Sequence, residues 1–232
     1  NKNVFVEKPL AINNKDIVDI QDFLTKKEVP NLMVGFNRRY SKHVIFAKEN
    51  LKKRQGPLMI NYSINADKFE DNHWFFDKDI GGGRIVSEPC HFIDLCHYLT
   101  DSFVVDFNLS SISTSSSNLN GSNFNLSLRF SDGSIANIIY HTIGNSNFPK
   151  EKIEIFSQGI SITIDDFKDS ILYKNNGVKK YRTKRQDKGR SLMIEKFLRS
   201  IKSGRRLISL DSLLHVAEVT VNIQNKFDDK IK

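Results

Sequence analysis

Between residues 103 and 181 apolar and polar positions alternate in the segments FVVDFNLSSIS, NFNLSLRF, SIANIIYHT, KIEIFS, ISITID and ILYKN, the two-residue period of half-buried strands. Asp132-Gly133, Gly144-Asn145, Gln158-Gly159 and Asn176-Gly177 separate them, supplying residues that tolerate tight reversals. The pattern predicts an antiparallel meander with one face covered by helices and the other solvated or paired with a partner. The serine-rich stretch 110–117 lies where a strand enters a hairpin loop and is not read as a linker.

The front of the chain has a different rhythm. NVFVEKP reads as a short strand stopped by Pro9, which lacks an N–H for the ladder. Ile17, Ile20 and Leu24 recur at helical spacing after Asn13 or Asn14, either of which can cap a helix ending near Lys27. NLMVGF follows as a second strand, giving the strand, helix, strand order of a parallel α/β layer. An amphipathic helix from Ser41 to about Lys53 and a strand in PLMINYSINA come next. Two helices, near 188–202 and 210–227, close the chain.

At 232 residues the chain can bury a substantial core. Its 39% hydrophobic content, with 17 Phe, excludes a disordered polyelectrolyte. No apolar run approaches the roughly 20 residues that span a bilayer, and the N-terminus lacks the pattern of a signal peptide. Cys90 and Cys96 are too few for a disulfide framework, which fits a reducing cytoplasm. The net charge of +8 comes almost entirely from Lys174 to Arg190, with eight basic residues against Asp187. That run could meet phosphates or nucleic acid, but Tyr181 alone is available for base stacking, and a solvated strand end and loop is the plainer reading.

Chemistry concentrates in GGGRIVSEPCHFIDL, residues 81–95. Pro89 suits the first turn of a helix, placing the boundary at Ser87 or Glu88. Glu88 and His91, three apart, then lie on one side of it, where an acid can orient an imidazole for proton transfer. Glu88, Cys90, His91, Cys96 and His97 also have metal-ligating side chains, but they point around several sides of a helix and do not converge as zinc ligands must.

EKPLA at 7–11, GFNRRYSKH at 35–43 and HWFFDKDIGGGRIVSEPCHFIDL at 73–95, with the sheet that follows, resemble the Gfo/Idh/MocA family of NAD(P)-dependent oxidoreductases. The resemblance covers essentially the whole chain and is closest to a branch found in bacterial surface-polysaccharide gene clusters. It implies an α+β fold: a large open, mainly antiparallel sheet with helices on one face, preceded by a C-terminal remnant of a Rossmann α/β domain. Residues 1–36 would end the dinucleotide-binding domain and 37–232 would form the substrate-binding and oligomerisation domain. No G-x-G-x-x-G turn follows an early strand, so NAD or NADP would be held mainly by a domain outside this chain, and the isolated chain is expected to be inactive.

By the same resemblance Lys8 lies near nicotinamide and substrate, where its ammonium stabilises alkoxide charge, Glu7 could hold it in place, and Glu7, Lys8 and Pro9 are cofactor-binding candidates. His91 and Glu88 complete the catalytic candidates. The family's usual aspartate, four residues before the histidine, is Ser87 here; either Glu88 takes over its function from the next position, or catalysis relies on His91 and Lys8 without it. Arg38 is a candidate for the cofactor and Arg39 for the substrate, since guanidinium groups bind oxyanions bidentately; surface salt bridges are the alternative. Tyr40, His73 and Trp74 suit the apolar faces of a sugar, although Trp74 could equally be core. Asp94 is a further substrate-binding candidate and reads as a helix or packing element rather than a catalyst. The expected partners are a sugar or nucleotide-sugar substrate and a second copy through the open sheet, without membrane or nucleic acid. The competing class is a non-catalytic assembly module that pairs through its sheet and cannot bind NAD(P) alone.

Overall fold

The computed structural model describes residues 2–26, 31–70, 72–112, 122–175 and 177–231. The chain divides into two compact units, the first built from 1–37, 72–94 and 190–232, the second from 38–71 and 95–189.

In the first unit β1 (Val4–Val6) and β2 (Leu32–Val34) pair in parallel, Val4 opposite Leu32 and Val6 opposite Val34. Between them runs α1 (Asn14–Lys26), capped by the Asn13 side chain, which accepts the Asp16 N–H at 2.9 Å. Two more helices of this unit are α5 (Arg190–Ser203) and α6 (Leu210–Ile231). Ile17 of α1 packs with Ala11, Val86, Ala217 and Val221 into an apolar cluster that joins α1 and α6. Phe197 of α5 covers Phe5 of β1, with ring centroids 5.5 Å apart.

The second unit contains an eight-stranded sheet of β3 (Met59–Asn65), β4 (Val104–Ser111), β5 (Phe124–Phe130), β6 (Ile135–His141), β7 (Glu151–Ser157), β8 (Ile160–Asp165), β9 (Asp169–Lys174) and β10 (Gly177–Arg182). Their order is β10-β9-β8-β7-β3-β6-β5-β4. This corrects the simple meander: β3, from earlier in the chain, enters between β6 and β7, parallel to the first and antiparallel to the second. Its alternate residues Ile60, Tyr62 and Ile64 are at most 1% exposed, the pattern of a central strand. β10 is a further strand, formed from part of the basic run. Its charged residues suit a sheet edge, where they oppose pairing with another chain.

One row across the helix-side face reads Ser170, Ile164, Ile153, Tyr62, Ile138, Leu126 and Leu109, all buried. Each large apolar side chain there stabilises the sheet by about 1.5–3 kcal/mol relative to exposure. Helix α2 (Lys42–Leu51), capped by Ser41, packs on β8 and β9. Its His43 is a satisfied core histidine, bonded through Nδ1 to Ser170 at 2.8 Å and through Nε2 to Thr183 at 3.0 Å.

Candidate active site

Lys8 stands just past the carboxyl end of β1, where ligands of open α/β layers bind. The Lys8-Pro9 peptide is cis. The carboxylate of Glu7 lies along Gly35, where a β-carbon would come within 2.7 Å of Oε2. The Lys8 ammonium donates to the Ser87 carbonyl and lies 5.7 Å from the Phe75 ring centre. The Arg84 guanidinium is 5.4 Å from that ring and pairs with Glu88 at 3.2 Å. Lys8, Ser87, Arg84, Glu88 and Phe75 therefore form one constellation within the first unit.

The glycine run builds it. Gly82 and Gly83 take φ of +71° and +96°, conformations in which L side chains are strained. A β-carbon on Gly82 would stand 2.8 Å from Ile12 Cβ, and one on Gly83 2.5 Å from Gln224 Cδ. This close approach lets the Gln224 side chain of α6 accept the Ile85 N–H at 2.8 Å, capping a short helix, α3 (Arg84–Ser87). Ser87 donates its hydroxyl to the Gly81 carbonyl at 2.8 Å. It closes the glycine turn.

Glu88 leaves the helical conformation, with φ −131° and ψ −50°, and α4 (Cys90–Thr100) begins after Pro89. The expected boundary at Ser87 or Glu88 is instead the end of an unexpected short helix, α3, and α4 starts two residues past Glu88. His91, half-buried in the first turn of α4, presents its ring edge-on to Phe36 at 6.2 Å. The Glu88 carboxylate accepts from Arg84, four residues before it. Trp74 is 50% exposed and stacks on His73 with ring centres 5.7 Å apart. Asp94 is fully buried.

The remaining candidates lie in the second unit. Arg38 donates through Nε and Nη2 to the two Glu151 oxygens at 2.7 and 2.8 Å. Lys188 adds a third contact at 2.7 Å and the Tyr62 hydroxyl a fourth. Burial pushes the Glu151 pKa up, but the Arg38 and Lys188 charges outweigh it and hold the carboxyl at about 2. Burial, then Glu151, drive the Tyr62 pKa well above its ordinary value. Arg39 lies over the Tyr98 ring at 5.2 Å, and Tyr40 is half-buried. Within the basic run, Lys188 binds Glu151, Arg182 binds Asp169 and Lys179 lies over Phe46. Much of its charge thus has a partner in the fold.

Cys90 and Cys96 are free and buried. Among the described residues no three His, Cys, Asp or Glu side chains converge as metal ligands. No described helix is long and apolar enough to cross a membrane.

Reading the sequence missed Arg84, Phe75, Gln224 and the Ser87 carbonyl. The i,i+4 spacing of Arg84 and Glu88 was a usable signal, whereas Gln224, 139 residues from Ile85 in sequence, gave none.

No family model matches the sequence, and no curated protein does. Solved structures match closely in shape. The aldose-aldose oxidoreductase of Caulobacter crescentus, solved with glycerol, superposes with TM-score 0.80 at 18% identity, over 100% of this chain and 71% of its own. A levoglucosan dehydrogenase in complex with NADH gives 0.79 at 18%, over 98% and 72%. The UDP-N-acetylglucosamine 3-dehydrogenase of Acidithiobacillus ferrooxidans gives 0.75 at 16%, over 96% and 69%. The chain shares the fold of these sugar oxidoreductases.

Proposed function

We propose that the chain is the substrate-side part of an NAD(P)-dependent oxidoreductase of the Gfo/Idh/MocA family, in its surface-polysaccharide branch. It would move a hydride to or from a hydroxyl or ketone carbon of a sugar or nucleotide sugar. The observation that carries this reading is the strand-end Lys8, held on the Ser87 carbonyl with Glu88 and Arg84 beside it, in a fold shared with enzymes named for sugars.

The residues present fit the nicotinamide end of the cofactor, since Lys8 follows a parallel strand; the β1–α1 connection has no glycine to receive a pyrophosphate. When bound, NAD(P) supplies the hydride donor or acceptor. The Lys8 ammonium stabilises charge on the substrate oxygen, and the His91 imidazole takes or returns the hydroxyl proton. Glu88, held by Arg84, biases the orientation of His91. Trp74 and His73 offer ring faces to the sugar; Tyr40 belongs to the second unit. Arg38 serves the fold through Glu151, and Asp94 serves packing. Residues 1–36 would close the dinucleotide domain. Free cysteines are in keeping with a cytoplasmic setting.

A homo-oligomer through the open sheet face is proposed as well. One register row on that face carries Val178, Tyr173, Phe156, Met59 and Ile135, exposed by 36–58%, an apolar band suited to a partner. The same row favours the second reading, an assembly module without catalysis. The test is sugar-dependent NAD(P)H formation by the product of the complete reading frame, across free and nucleotide sugars. A substrate-dependent signal supports the enzyme. Inactivity with every sugar, alongside an oligomer dispersed by Phe156→Lys, supports the module.

A further inference from the structure

The backbone hydrogen bonds around Pro89 break in an ordered way. The i,i−4 ladder of α3 runs through Ser87 N–H to Gly83 at 3.0 Å and Glu88 N–H to Arg84 at 3.3 Å. It resumes only at Ile93 N–H, which reaches Pro89 at 3.0 Å. In an uninterrupted helix the Ile85 carbonyl would take the N–H of residue 89, which proline lacks, and the Ser87 carbonyl would take that of His91. Here the His91 N–H turns to Glu88 at 3.0 Å, and the Ser87 carbonyl accepts the Lys8 ammonium.

We propose that Pro89 is a positioning residue: by splitting one helix into α3 and α4 it turns the Ser87 carbonyl into the anchor for Lys8. The Ser87 hydroxyl, tied to the Gly81 carbonyl, fixes the peptide that presents this oxygen. Pro89 touches no reacting atom and acts only through Lys8, so the catalytic consequence rests on the function proposed above. The coupling between Pro89 and Lys8 does not.

The test reads that coupling without turnover. Lysines of the whole chain are acylated at limiting reagent, and the rate at Lys8 is followed by peptide mass spectrometry in wild type, Pro89→Ala and Pro89→Gly. Alanine favours a continuous helix, in which the His91 N–H competes for the Ser87 oxygen; glycine disfavours helix and keeps the break. The expected result is acylation of Lys8 roughly tenfold faster in Pro89→Ala, the scale of one hydrogen bond to a charged group, and within about twofold of wild type in Pro89→Gly. Equal rates in all three overturn the proposal. Should Pro89→Ala not fold, the Ser87 carbonyl carbon resonance in wild type and Lys8→Met decides: a displacement at Ser87 sustains the anchor, and an unmoved resonance removes it. Acylation that behaves as expected in a protein with no oxidoreductase activity would uphold the coupling and fail the enzyme reading.

Discussion

Glu151 and Lys8 each mark a place where basic side chains meet oxygen acceptors, and the two do so in opposite ways. Around Glu151 two cations and a phenol saturate one fully buried carboxylate, each oxygen taken by more than one donor. Around Lys8 a half-buried ammonium is held by a backbone carbonyl at a helix break, with an aromatic ring beside it. The first arrangement has no acceptor capacity left over and rigidifies the second unit. The second holds its cation by one side and leaves it donors for a substrate oxygen. A buried charge with a full set of partners is read as structure, and a charge held from one direction at a strand end as chemistry.

The difference can be broken most severely at Glu151. Glu151→Gln leaves Arg38 and Lys188 facing a neutral amide in the interior, and a loss of about 3–5 kcal/mol in urea unfolding is expected, as for buried pairs that lose one partner. Because the folded pKa is depressed to about 2 from an ordinary 4.5, the stabilisation from ionised Glu151 is present above pH 4.5 and lost as pH falls toward 2. Unfolding measured across that window should show a shallower pH dependence in Glu151→Gln than in wild type.

Lys8→Ala and His91→Ala should do the reverse. Turnover is expected to fall about 10²-fold or more in either, with urea midpoints close to wild type. Gly82→Ala sits between the two: it strains a positive-φ position against Ile12 and should cost about 1–3 kcal/mol in the same unfolding assay. Lys184→Ala, an exposed change, should alter stability by less than about 0.5 kcal/mol.

The elements were largely legible because their signals are local: Asn13, one of two expected caps, caps α1, α2 begins next to the expected Ser41, and the six alternating segments are strands. Strand order was not, because hairpin turns specify neighbours in sequence, while the place of β3 depends on which strands it packs between. β10 hid in its charge, since Lys179 and Arg182 make a poor apolar pattern but an adequate sheet edge. Lys8, Glu88 and His91 were singled out by residue type, and the structure brings Lys8 and Glu88 into one constellation. Of their partners, Arg84 was signalled by its i,i+4 spacing to Glu88, whereas the Ser87 carbonyl that takes the Lys8 ammonium was not. A backbone carbonyl freed by a proline carries no side-chain signature at all.

The central claim is that Lys8 and His91 serve oxidation or reduction of a sugar. Its most direct measurement compares sugar-dependent NAD(P)H formation by the complete reading-frame product in wild type, Lys8→Ala and His91→Ala at matched folded concentration. The account predicts activity in the wild type that both variants lose by about 10²-fold or more. Wild-type rates in either variant would contradict it.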